Sequence, residues 1–288
     1  MVFLGFFLLP RLVAFEPWEK RLSNDFFLYL PFYLLLLPNV ITSFLGHIPF
    51  VSLFWSIGVE EQFYLIWPLL LKKFKKSPFG VFISVILLFT AARGVFGFFT
   101  SFMRPHEVNG YYMRSTLSLL HSLQFECMAI GGIGAWLVLN NNKALQYVYR
   151  KDVQVISILS IILLMYNDFN LLPFENIVYG IPFAIIIVNV ATNPDAIIKL
   201  RGKLPDFLGR ISYGLYVYHT TVIIILLSLK HTMAINIVLF NIMLYFGTLI
   251  ITIALSVVSF YCFERQILRY KDKYSVIKSN NTSPVTLF

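Results

Sequence analysis

Long apolar runs, separated by short connections that carry most of the charge, organise this chain. The runs at 26–46, 49–71, 79–102, 115–139, 153–170, 174–193, 208–229 and 235–263 approach or exceed the roughly 20 apolar residues that carry a helix across a bilayer core. They predict an all-α fold, a polytopic transmembrane helix bundle of about eight full spans. An earlier run, 2–15, is too short to span and contains Pro10 and Arg11, so it reads as a short N-terminal apolar remnant. It has neither the basic start nor the small-residue cleavage site of a secretory signal. The last residues, 275–288, are polar and predict a disordered tail following a single membrane domain over 1–274.

The basic residues test this count, because cytoplasmic loops collect Lys and Arg. Alternate connections hold Lys20 and Arg21; Lys72, Lys73, Lys75 and Lys76; Lys143, Arg150 and Lys151; Lys199, Arg201, Lys203 and Arg210; and then the tail with Arg265, Arg269, Lys271, Lys273 and Lys278. The opposite side keeps only Arg104, Arg114 and Lys230. The alternation predicts a multi-pass membrane protein with a cytoplasmic C-terminus. Composition agrees: 58% of residues are hydrophobic and 13% charged, against about a quarter charged in ordinary soluble domains. The net charge of +9 is spread over these loops, which speaks for orientation in a lipid bilayer and against nucleic acid as a partner. Cys127 and Cys262 lie far apart in apolar runs, giving neither a disulfide framework nor a metal site.

Polar residues at membrane depth are then the candidates for chemistry, since each costs a few kcal/mol or more and usually faces a bundle interior or a watery cavity. Glu60 and Glu61 stand in the run 49–71, and Ser56, Glu60, Tyr64 and Trp67 share one helical stripe, with Gln62 in the same segment. The pair either lines a site or snorkels near a helix end. Arg93 lies mid-span and is expected to pair with Glu60, Glu61 or Glu126; its guanidinium also suits a phosphate. Glu126 precedes Gly131, Gly132, Gly134 and Ala135, small residues that let another helix approach. Further on, Ser212, Tyr216 and His219 recur on one face, and His219 reads either as a general base or relay or as a hydrogen-bonded packing residue.

Four segments together carry a family resemblance. The string Trp55-Ser-Ile-Gly-Val-Glu-Glu-Gln-Phe-Tyr-Leu-Ile-Trp-Pro68 closely resembles the W-S-L-x-V-E-E-Q-F-Y-L-x-W-P signature of the acyltransferase 3 family, bacterial membrane proteins that O-acylate surface glycans. Residues 124–135 resemble its R-F-x-x-x-x-x-G-x-x-x-A segment, with Gln124 in place of Arg. The stretch from Leu208 to His219 resembles its L-G-x-I-S-Y-x-L-Y-L-x-H segment, and that from Tyr261 to Arg269 its closing Y-x-x-x-E-x-P-x-R. The resemblance also implies an N-terminal helix bearing a catalytic His, which has no counterpart here; His47 is not at its place, and the chain reads as lacking about the first three helices.

The resemblance implies a membrane-bound O-acyltransferase that moves an acetyl or other short acyl group from acyl-CoA to a carbohydrate hydroxyl of a cell-surface glycan. No cofactor or metal is expected to be bound; acyl-CoA, in the first instance acetyl-CoA, is a co-substrate. On this reading Glu60, Glu61 and His219 are the catalytic candidates. Ser56, Gln62, Tyr64, Trp67, Arg93, Glu126, Ser212 and Tyr216 are the substrate-binding candidates. A transporter or flippase of a lipid-linked glycan also carries intramembrane charges and broken helices, and stands as the alternative.

Overall fold

A computed structural model describes residues 26–46, 48, 50–103, 108–167, 171–231 and 236–274. The apolar remnant at 2–15, His47, Arg104 and the tail at 275–288 lie outside the described residues. The described residues contain helices, turns and connections and no strand. They fall into two compact units, one up to Leu200 and one from Arg201 onward.

In the first unit the helices are α1 at 26–34, α2 at Pro38–Phe44, α3 at Phe54–Lys73, α4 at Pro78–Phe102, α5 at Val108–Leu123, α6 at Phe125–Leu139, α7 at Leu145–Val148, α8 at Lys151–Asn167 and α9 at Glu175–Thr192. The run 26–46 is thus two helices and not one. Leu36 adopts φ 61° and Pro38 opens α2 at its first turn, where a missing N–H costs nothing. Pro78 opens α4 in the same way. The run 115–139 begins earlier than its hydropathy suggests and is interrupted at Gln124, which sits in the left-handed region at φ 47° between α5 and α6.

Five stretches among the described residues are long and apolar enough to cross a membrane: Pro78–Phe102, Val108–Leu139, Glu175–Thr192, Lys203–Ser228 and Ile237–Leu268. The other three expected runs differ from these in form. Proline divides 26–46; α3 carries Glu60, Glu61, Lys72 and Lys73 within 20 residues; α8 is described over 17 residues, up to Asn167. Apolar side chains such as Leu87, Leu88, Phe98, Ile187, Phe246 and Ile250 stay exposed on the spanning helices, as a lipid-facing surface requires.

Small residues set the contacts inside the first unit. A Cβ on Gly132 would lie 2.7 Å from the Phe82 ring, and one on Gly134 2.9 Å from Val188, so α6 packs closely on α4 and α9. Gly58 of α3 likewise meets Pro38, whose Cδ would be 2.5 Å from an added Cβ. Tyr29, Ile41, Ile48 and Val51 form a buried apolar cluster beside that contact. Near the other end of α9, Asn189 donates to Val148 O (3.0 Å) and Gln154 to Tyr149 O (2.9 Å), supplying partners for backbone groups that irregular chain leaves open. On the adjoining surface Arg150 pairs with Asp152, and the guanidinium lowers that carboxyl below its usual range.

The second unit is a hairpin of α10 at Lys203–Ser228 and α11 at Ile237–Ser259, followed by a π-turn at Phe260–Glu264 and by α12 at Arg265–Tyr274. Asn236 caps α11 by accepting from the Val238 N–H at 2.9 Å. A Cβ on Gly214 would come within 2.9 Å of the Ser256 backbone, which fixes how closely the two helices approach. Tyr218 donates to Ser259 (3.0 Å) and Ser259 to Glu264 (3.0 Å), joining the third and fourth of the segments singled out in the sequence.

Candidate active site

The buried charges of the first unit sit where α4, α6 and α9 meet. Arg93 and Glu126 are both fully buried and form a salt bridge, so Glu126 is the partner among the three carboxylates considered from sequence. Asn176, at the start of α9, donates to the other Glu126 oxygen at 3.3 Å. Nε and Nη1 of Arg93 are buried with no hydrogen-bond partner among the described residues.

Asn176 also lines a polar cavity of about 310 Å³, together with Thr42, Ser43, Trp55, Ser118, His121, Ser122, Gln124 and Glu175. Ser118, His121 and Ser122 are spaced i, i+3 and i+4 on α5, which puts them on one face. Glu175 stands in the first turn of α9, where the helix dipole favours a carboxylate. His121 is within electrostatic reach of both Glu175 and Arg93. His121, Glu175 and Asn176 were not among the residues expected from sequence. The legible signal was the Ser-x-x-His-Ser stripe in an otherwise apolar run; Glu175 and Asn176 join it only through tertiary packing.

A second cavity, about 570 Å³ and almost wholly apolar, lies between α3 and α4. Phe63, Trp67, Leu70 and Phe74 line it on one side and Val81, Val85, Leu88 and Phe89 on the other, with Phe125 also in its wall. Trp67 stacks on Phe82 with ring centres 5.5 Å apart. The two cavities have consecutive residues in their walls, Gln124 in the polar one and Phe125 in the apolar one. Arg93 follows Phe89 by about one turn of α4.

The remaining candidates are placed as follows. Glu60 and Glu61 are exposed and line neither cavity; Glu60 accepts from the Tyr64 hydroxyl at 2.7 Å. Gln62 is spent on packing, donating to Leu36 O (2.6 Å) and to Asn39 Oδ1 (2.9 Å). Ser56 donates to Leu53 O at 3.4 Å. In the second unit Ser212 donates to Gly209 O at 2.9 Å, and the Tyr216 ring lies 5.7 Å from that of His219. His219 has Nδ1 2.6 Å from Tyr216 O and Nε2 3.1 Å from the Thr220 hydroxyl. No cluster of metal-ligating side chains is present among the described residues.

Membrane-length helices with a buried ion pair and a histidine-bearing polar cavity define a multi-pass membrane protein with a candidate catalytic chamber. Comparison with known proteins gives the family: a profile described as an acyltransferase domain matches residues 1–261, and the chain belongs to the acyltransferase 3 family. A protein of Acidianus two-tailed virus, provisionally named an acetyltransferase, is 26% identical over 189 residues, covering 62% of this chain and 51% of its own. The chain therefore spans about half the length of the curated relative it matches. No solved structure matches.

Proposed function

We propose that the protein transfers an acyl group from a cytoplasmic acyl thioester, acyl-CoA, to a hydroxyl of a surface carbohydrate. The observation that carries this reading is the presence, in the first unit, of an apolar cavity and a polar one that hold the consecutive residues Phe125 and Gln124 in their walls. Acyl transfer needs a dry place for the acyl chain, a base for the hydroxyl proton and donors for the oxyanion. The apolar cavity begins beside the basic loop at Lys72–Lys76, which supplies cations for the donor's phosphates. The polar cavity presents hydroxyls, a carboxylate, amides and an imidazole, groups suited to a carbohydrate. Glu60 with Tyr64 adds an exposed carboxylate and phenol for acceptor hydroxyls.

With the Lys72–Lys76 loop in the cytoplasm, Phe74 and Ser77 place one end of the apolar cavity on the donor side. The polar one then lies toward the other face, because Thr42, Trp55 and Glu175 all stand near the opposite helix ends. The proposed site is the cytoplasmic membrane of a bacterium, with the C-terminus inside. Family membership favours transfer over transport of a lipid-linked glycan.

The test is incubation of membranes containing the protein with acetyl-CoA labelled in its acetyl group. Label appearing in carbohydrate supports the proposal. Movement of glycan across the membrane without label incorporation supports the transporter reading instead.

A further inference from the structure

We propose that the apolar cavity between α3 and α4 selects a donor with a medium-length acyl chain, from hexanoyl to decanoyl, over acetyl. The assignment deepens the acyl-transfer reading and rests on it. It departs from the acetyl or other short group expected of the donor.

The size of the cavity is the first reason. At about 570 Å³ it falls in the range that takes a whole small ligand, and an acetyl methyl would leave nearly all of it unfilled. Its wall on the α3 side runs from Phe63 to Phe74, a rise of roughly 16 Å along the helix. Extended hexanoyl to decanoyl chains fit within that length, whereas a palmitoyl chain exceeds it.

The chemistry of the walls is the second. Apart from the Trp67 indole, the polar side chains lining the cavity are the hydroxyls of Ser77 and Ser84. The pantetheine arm of a CoA ester carries two amides, which such walls would strip of water and leave without partners. A hydrocarbon chain has no such groups, so the cavity suits the chain and not the arm that bears it. Charge is the third reason. Phe74 and Ser77, at one end of the cavity, belong to the same connection as Lys75 and Lys76 and follow directly on Lys72 and Lys73. Cations therefore stand where a donor whose chain enters the cavity would bring its phosphates. Membership of an acyltransferase family makes that chain the donor's, and the tail of a bilayer lipid is the competing occupant.

Each methylene moved from water onto apolar walls is worth about a fourfold gain in binding. The gain accumulates along a series of donors until the cavity is full, and a longer chain then meets overpacking.

The experiment supplies membranes containing the protein with acetyl-, butyryl-, hexanoyl-, octanoyl-, decanoyl- and palmitoyl-CoA, each labelled in its acyl group, and measures label in carbohydrate. The expected kcat/KM rises by up to about fourfold per methylene, peaks between hexanoyl and decanoyl, and falls at palmitoyl. Val85→Trp, which places an indole in the cavity from a half-buried position on α4, should lower the octanoyl-to-acetyl ratio by about tenfold or more. A series that is flat or highest at acetyl overturns the proposal, as does a Val85→Trp protein with an unchanged ratio.

Should Val85→Trp fail to accumulate, fluorescence of the unsubstituted protein decides. Octanoyl-CoA brominated at the chain end should quench tryptophan emission, and the quenching should be lost in Trp67→Phe and reversed by excess octanoyl-CoA but not by octanoate. Quenching that octanoyl-CoA does not reverse gives the cavity to bilayer lipid and overturns the proposal. Absence of transfer from every donor rejects the acyl-transfer reading and this assignment with it. Transfer from acetyl-CoA alone rejects the assignment and leaves that reading standing.

Discussion

Arg93 and Glu126 show how one buried pair serves two ends. A charge removed from water without its partner is costly, so Arg93→Met alone should destabilise the protein by about 3–5 kcal/mol by stranding Glu126. Adding Glu126→Leu should recover most of that loss, because a well-packed apolar pair often replaces a buried ion pair at little cost. Thermal unfolding in detergent checks both steps, and transfer assays on the double variant separate the roles. Stability regained without transfer places the pair in the chemistry; transfer regained with stability makes it scaffolding. The sequence named both residues because an ionisable group mid-span stands out against apolar neighbours. It left three carboxylates as possible partners for Arg93, since choosing among them requires knowing which helices touch. His121 was harder to see: a single imidazole flanked by two serines is ordinary at a helix end, and Glu175 and Asn176 come from a helix more than fifty residues further along.

Helix contacts in this protein depend on the absence of side chains as much as on their presence. The glycines at 132 and 134 were read from sequence as surfaces for close approach, and α4 and α9 meet α6 there. Gly131, next to them, has open space around it, because residues one apart on a helix face different directions. Gly214 gives the sharper test, as an added methyl would press on the backbone of Ser256, which cannot rotate away. Gly214→Ala should cost about 1–3 kcal/mol through overpacking, read as a lower unfolding temperature in detergent, whereas Gly131→Ala should be close to neutral. Breaks within elements were less legible. Gln124 carries no residue signature for its left-handed conformation, and so α5 and α6 read as one run in the sequence.

For the whole molecule, hydropathy revealed an all-helical membrane protein, and five stretches among the described residues are long and apolar enough to cross a membrane. An apolar run does not disclose whether it forms one helix or two, as 26–46 shows, nor how a cluster of charges weighs against it, as in α3. The alternation of basic loops makes a separate prediction: cysteines introduced at Lys73 and Lys203 should be labelled by an impermeant reagent only after the membrane is opened, and one at Asn109 in intact cells. The reverse pattern would invert the proposed path from donor to acceptor.

On the proposed function, the apolar and polar cavities of the first unit form one transfer site. Irradiation of membranes containing the protein and an acyl-CoA whose chain ends in a photoreactive diazirine tests it most directly. Adducts are expected on cavity residues such as Trp67, Phe89 and Phe125, reduced by excess acetyl-CoA. Adducts confined to the helices beyond Arg201, or indifferent to acetyl-CoA, would contradict it.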